Sequence, residues 1–135
     1  MNRRYWLKLV PFAAVAPAFG ASLDATGDSR PIVLYCDLAV DPQREQEMLD
    51  AFHKHFKPVA RRHPGYIDLK MLKLRRVVQG GPAPVSGFNY RFQLTYESEE
   101  LRQRWIASAD HQRVWPMIEN TVTDKGYLVL LTDSV

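Results

Sequence analysis

Apolar residues alternate from Ile32 to Val40, with Ile32, Leu34, Cys36, Leu38 and Val40 on one side, which is the period of a strand. Asp41 and Pro42 close that run, and Asp as a cap followed by Pro in the first turn predicts a helix start. Met48, Leu49, Phe52, Phe56, Val59 and Ala60 then recur at helical spacing as far as about Arg62, and His63, Pro64 and Gly65 end the helix. Tyr66 to Val78 mixes Ile, Leu and Val with Lys and Arg and reads as a long strand with one wetter face. Gly80 to Gly87, GGPAPVSG, is a loop by composition. The clearest strand follows: Phe88, Tyr90, Phe92, Leu94 and Tyr96 face one way, while Asn89, Arg91, Gln93, Thr95 and Glu97 face the other. Ser98 caps a second helix whose first turn carries Glu99 and Glu100, and Gly126 to Thr132 makes a last strand.

The second helical stretch does not keep one register. Leu101 and Trp105 define one stripe and His111, Trp115, Ile118 and Val122 another, which a break near Ser108 to Asp110 reconciles, with Ser108 capping a second short helix. Pro116 lacks an N–H and crowds the preceding turn, so a kink is expected there. Strand, helix, strand, strand, helix, strand is the α+β order called ferredoxin-like, a four-stranded antiparallel sheet with helices on one face. The uncovered face calls for a second copy, so the pattern predicts a homodimer.

Composition narrows the partners. The chain has 135 residues, room for one domain, here placed at residues 31–135. Met1 to Lys8 carries three cations and no anion and precedes a short apolar run, so residues 1–20 read as a signal peptide cleaved near Gly20, and 21–30 as a flexible linker. Arg3 and Arg4, followed by Tyr5, Trp6, Leu7 and Lys8, resemble a twin-arginine export signal, which implies a periplasmic protein that meets the membrane only during export. The leader accounts for the whole net charge of +3, leaving a neutral mature chain and disfavouring a nucleic-acid partner. Arg61, Arg62, Lys70, Lys73, Arg75 and Arg76 form one basic cluster, readable as a solvated surface or as a site for an anion. Cys36 is the only cysteine, which excludes an internal disulfide and a cysteine-rich metal site.

His111 lies between Trp105 and Trp115 on the inward face, either filling the core or acting as the titratable member of a pocket. His53 and His55 flank the first helix's apolar stripe as surface residues, and His63 sits in the turn that ends it. Phosphate loops, nucleophile elbows and paired catalytic carboxylates are not recognisable.

Pro64-Gly65-Tyr66, the strand YRFQLTYES from Tyr90 to Ser98, and WIASADHQRVWP from Trp105 to Pro116 together resemble the antibiotic biosynthesis monooxygenase superfamily of dimeric α+β barrels, from about Pro31 to Thr132. The resemblance implies an oxygenase using O2 on an aromatic, phenolic or quinol-like compound without metal or other cofactor. His111 would be the base, and Trp105, Trp115, Phe52 and Phe56 would contact the substrate. It also implies an alternative, heme degradation, in which Trp105 and His111 stand for a pocket Trp and an axial His, although the first strand offers Cys36 and Asp37 in place of that group's Asn. A third outcome in this superfamily is an exported binding or stress-related protein without catalysis.

Overall fold

The computed structural model describes residues 30–80, 87–123 and 127–135. The expected signal peptide, all of the expected linker but Arg30, the centre of the GGPAPVSG loop and Gly126 lie outside these residues.

Four strands, β1 (Ile32–Leu38), β2 (Tyr66–Lys73), β3 (Tyr90–Tyr96) and β4 (Leu128–Asp133), form one sheet in the order β2-β3-β1-β4. Every neighbouring pair is antiparallel, with Leu34 opposite both Leu94 and Leu131 and Leu69 opposite Leu94. Alternation decides what each strand buries: Ile32, Leu34, Cys36 and Leu38 on β1 and Tyr90, Phe92, Leu94 and Tyr96 on β3 all turn towards the helices. Their neighbours Val33, Tyr35, Gln93 and Thr95 point to the other face, which no element among the described residues covers.

The strands come out shorter than the sequence pattern suggests. Val40 makes only an isolated bridge to Val122 after β1 has ended, and β2 stops at Lys73 although Leu74 still donates one hydrogen bond to the Asn89 carbonyl. Beyond that point Leu74, Val77 and Val78 find no cover and stay exposed, so apolar composition alone does not extend the ladder.

The first helical stretch changes pitch along its length. A 3-10 turn (Pro42–Arg44) capped by the Asp41 carboxylate leads into α1 (Glu45–Asp50), a π-helical segment (Ala51–Phe56) and α2 (Lys57–Ala60). Pro58 explains the wide turn: it has no N–H to donate and its ring would press on the carbonyl four residues back. The Lys57 N–H instead reaches the Phe52 carbonyl. The wider turn keeps Phe52 and Phe56 on the buried side while His53, Lys54 and His55 stay in solvent.

Gly65 then turns the chain into β2 at φ +96°, a conformation L side chains avoid, and a Cβ there would lie 2.7 Å from the Leu101 Cβ. The second helical stretch is two helices, α3 (Glu99–Ala107) and α4 (Ala109–Glu119), divided at Ser108. The kink expected at Pro116 does not interrupt α4, which runs through it; Asn120 donates to the Pro116 carbonyl at 2.9 Å, and the carbonyl that Pro116 leaves unpaired belongs to exposed Gln112. Among the described residues no helix is long and apolar enough to cross a membrane.

Candidate functional site

Ser108 does the local work of building the site. Its backbone leaves the helical region, at φ −73° and ψ 153°, and its hydroxyl serves both helices: Oγ donates to the Trp105 carbonyl at 2.6 Å and accepts from the His111 N–H at 3.1 Å. One hydroxyl thus fixes the last turn of α3 against the first turn of α4. The turn swings Trp105 and His111 together, their ring centroids 5.0 Å apart and their planes perpendicular. Trp115, one turn further along α4, stacks parallel to the imidazole at 6.2 Å.

Phe56, delivered by the π-helical segment, touches every other ring of the group: Phe92 at 5.3 Å, Trp105 at 5.6 Å, and both His111 and Trp115 at 6.0 Å. These edge-on contacts each add about 0.5–1.5 kcal/mol beyond simple burial. Between them and the sheet lies a cavity of about 150 Å³, walled by His111, Trp105, Trp115 and Phe56, by Cys36 and Phe92 of the sheet, and by Arg102 of α3. Tyr127 and half-exposed Val129 line its β4 side. A space of this size accommodates about one aromatic ring.

The sequence-predicted residues therefore divide. His111, Trp105, Trp115 and Phe56 meet around one cavity. Phe52 is corrected: it lies behind Phe92, 6.2 Å away, and supports the wall without reaching the cavity. His53 and His55 are exposed on the far side of their helix. Of the basic cluster, Arg61, Arg62, Lys70, Lys73, Arg75 and Arg76 are all exposed and none lines this cavity.

Burial in this apolar surround, with the charges of Arg102 and His63 adding to it, lowers the His111 pKa to about 4. Among the described residues neither ring nitrogen has a hydrogen-bond partner. At neutral pH the side chain is therefore an uncharged imidazole with a lone pair to offer, held by aromatic walls instead of by a polar orienter. Burial pushes the Cys36 thiol up to about 12, so it is a neutral, unreactive part of the wall. Burial and a hydrogen bond to Glu119 raise the Tyr127 phenol, which donates to that carboxylate at 2.7 Å.

Sequence reasoning missed a second histidine. His63, read as a turn residue, lies against the indole of Trp105 at 4.6 Å, so Trp105 stands between two imidazoles. Its Nε2 is 3.0 Å from the Asp110 carboxylate, whose pKa is lowered chiefly by that contact. The pairing joins residues 47 positions apart, from a turn and the first turn of α4, and no local pattern announces it. Arg102 was also missed, although Trp105 and Ile106 lie one turn on, because a charged side chain reads as solvated; its Nε and Nη2 hold Glu99 at 2.6 and 2.8 Å, a helix-surface pairing that hides the arginine's place in the cavity wall. Among the described residues no group of three His, Cys, Asp or Glu side chains converges as a metal site.

Neither a protein-family model nor a curated protein sequence matches the chain. Solved structures do match it. A dimeric ferredoxin-like protein of unknown function from Jannaschia sp. CCS1 superimposes with TM-score 0.65 at 16% identity, covering 77% of this chain and 99% of that one. The chain has the ferredoxin-like fold. A candidate antibiotic biosynthesis monooxygenase from Caulobacter crescentus CB15 gives TM-score 0.64 at 13% identity, over 84% of this chain and 98% of that one. Hydroxynitrile lyase from Passiflora edulis gives 0.62 at 13% identity, over 79% and 95%. The ferredoxin-like scaffold thus carries unlike chemistries, and the reaction has to be argued from the site.

Proposed function

We propose that the protein is a cofactor-independent monooxygenase that converts a small phenol or hydroquinone-like compound to a quinone with O2. The observation that carries this reading is a neutral imidazole, His111, facing an apolar cavity for one aromatic ring. The bound hydroxyl donates its hydrogen bond to a ring nitrogen of His111 and passes the proton across, leaving imidazolium beside phenolate. Aromatic walls on the helix side limit the water around the new ion pair, so the anion remains electron-rich. The anion reduces O2 in steps: one oxygen atom bonds to an unsubstituted ring carbon, para to the hydroxyl in a phenol and ortho to it in a hydroquinone, giving a quinone or a hydroxyquinone, and the other leaves as water with two of the substrate's hydrogens. The phenol supplies all four electrons, so no external reductant enters the balance.

Heme fits this site poorly. The cavity holds about one ring, whereas a porphyrin carries four linked pyrroles, and the imidazole is flanked on two sides by Trp105 and Trp115. Support for a monooxygenase comes from the Caulobacter neighbour's description, and support for a homodimer from the dimeric Jannaschia neighbour and the uncovered sheet face. The twin-arginine-like leader supports export to the periplasm as part of the same reading.

Oxygen uptake with single-ring phenols and hydroquinones tests the proposal. Uptake of one O2 per quinone is expected, with His111→Ala reducing kcat at least about 100-fold, the usual contribution of a positioned base. Undiminished turnover in the variant, or binding without any uptake, contradicts it.

A further inference from the structure

Charge in the cavity wall is asymmetric. Arg102 is 9% exposed and lines the cavity, while its partner Glu99 keeps 38% of its side chain in solvent. Water therefore screens the carboxylate more than the guanidinium, and the pair presents its positive member to the cavity. His111 agrees with this: after burial, the charge of Arg102 is the next cause that lowers its pKa. Guanidinium donors are only partly used. Nε and Nη2 bind the two oxygens of Glu99, and among the described residues Nη1 has no partner.

We infer that the cavity takes its ligand as a single-ring aromatic oxyanion, with Arg102 as the counter-charge and the uncharged His111 ring beside it. The inference rests on the phenol-oxidising reading and deepens it. A neutral arene gains at most a modest cation–π contact from the guanidinium, whereas a phenolate or benzoate oxygen gains a charge-assisted hydrogen bond in a medium that strengthens it. Arg102 then selects among substrates: acidic phenols bind as anions, and alkyl-substituted rings without an ionisable oxygen are rejected. Glu99 holds the fork in place through two bonds, and the carboxylate's exposed side lets water balance it when the second anion arrives. Phe56 offers only a ring face and edge, and the indole and imidazole N–H groups of the wall are neutral donors, so Arg102 is the one cationic side chain among the described residues lining the cavity.

The test uses 4-nitrophenol, whose anion absorbs in the visible and whose neutral form does not. At a pH about one unit below the probe's pKa in water, most of it is neutral. Adding the protein should raise the visible absorbance saturably, because the bound probe is ionised. Arg102→Gln should weaken that binding at least tenfold and return the bound probe to its neutral spectrum, while Arg102→Lys keeps part of the ionisation. Circular dichroism and the melting temperature of Arg102→Gln establish that the variant is folded; if it is not, Arg102→Lys together with the wild-type spectrum decides. Saturable binding of neutral probe, absence of binding by the wild type, or an Arg102→Gln variant that ionises the probe equally well overturns the inference. Because the readout needs no turnover, anion binding without oxygen uptake would sink the oxygenase reading alone, and uptake without anion binding would sink this one alone.

Discussion

One sheet presents two faces with opposite fates. The face under the helices collects Leu34, Cys36, Phe92 and Leu94 and closes over an aromatic cavity. At the edge strand β4, by contrast, every apolar residue stays wet: Leu128 is 45% exposed, Val129 50%, Leu130 41% and Leu131 48%. Register puts Leu128 and Leu130 opposite Asp37 and Tyr35 on the open face, and Val129 and Leu131 opposite Cys36 and Leu34 on the helix face. The helices reach the central strands but not β4. The chain thus lines its candidate site with its helices, and under the proposed homodimer the other surface would be the one a second copy covers.

The largest effect should come from the hub of the closed face. Phe56→Ala removes the ring that contacts Phe92, Trp105, His111 and Trp115 at once, and should cost about 3–5 kcal/mol in chemical denaturation. A cost below about 1 kcal/mol would show that the rings do not support one another through it.

Acid should discriminate next. The folded His111 has its pKa depressed from 6.5 to about 4, so the unfolded chain takes up a proton first as pH falls. Stability is therefore complete above about pH 6.5 and is lost progressively towards pH 4, by about 2 kcal/mol once screening of a partly exposed ring is allowed for. His111→Gln should flatten that slope in denaturant titrations run across the same range. An unchanged slope would place the acid sensitivity elsewhere.

Ser108→Ala deletes the hydroxyl shared by Trp105 and His111. It should destabilise the protein by about 1 kcal/mol, the usual value of a lost cap, and reduce oxygen uptake more than that cost explains, since the two rings lose their fixed spacing. Equal stability and equal turnover would contradict this role. The open face should respond in reverse: Leu130→Glu should change folding stability by less than about 0.5 kcal/mol yet halve the mass seen in sedimentation. A monomeric wild type would remove the second copy from the account.

What the sequence revealed follows the same division. β1 and β3 were legible because each has one face under helices and one mixed face, so burial and alternation coincide. The Ser108 break was legible because two apolar stripes out of phase require one. Pro116 misled, since its missing hydrogen bond falls on a solvent-facing turn where helix continuity survives. The π-helical turn before Pro58 was also invisible in an apolar pattern that a regular helix satisfies nearly as well. At the site, His111 and its tryptophans share one local segment and could be read together. His63 and Arg102 could not, because their places depend on a turn packing onto α4 and on which side of α3 meets the sheet.

The most direct test of the central claim, an uncharged imidazole inside an aromatic cavity, is an NMR titration of the His111 ring. The structure predicts a ring that stays neutral from neutrality down to about pH 5, with a midpoint near 4 that rises when a phenol is bound. A midpoint near 6.5, indifferent to ligand, would put the ring in water and contradict the account.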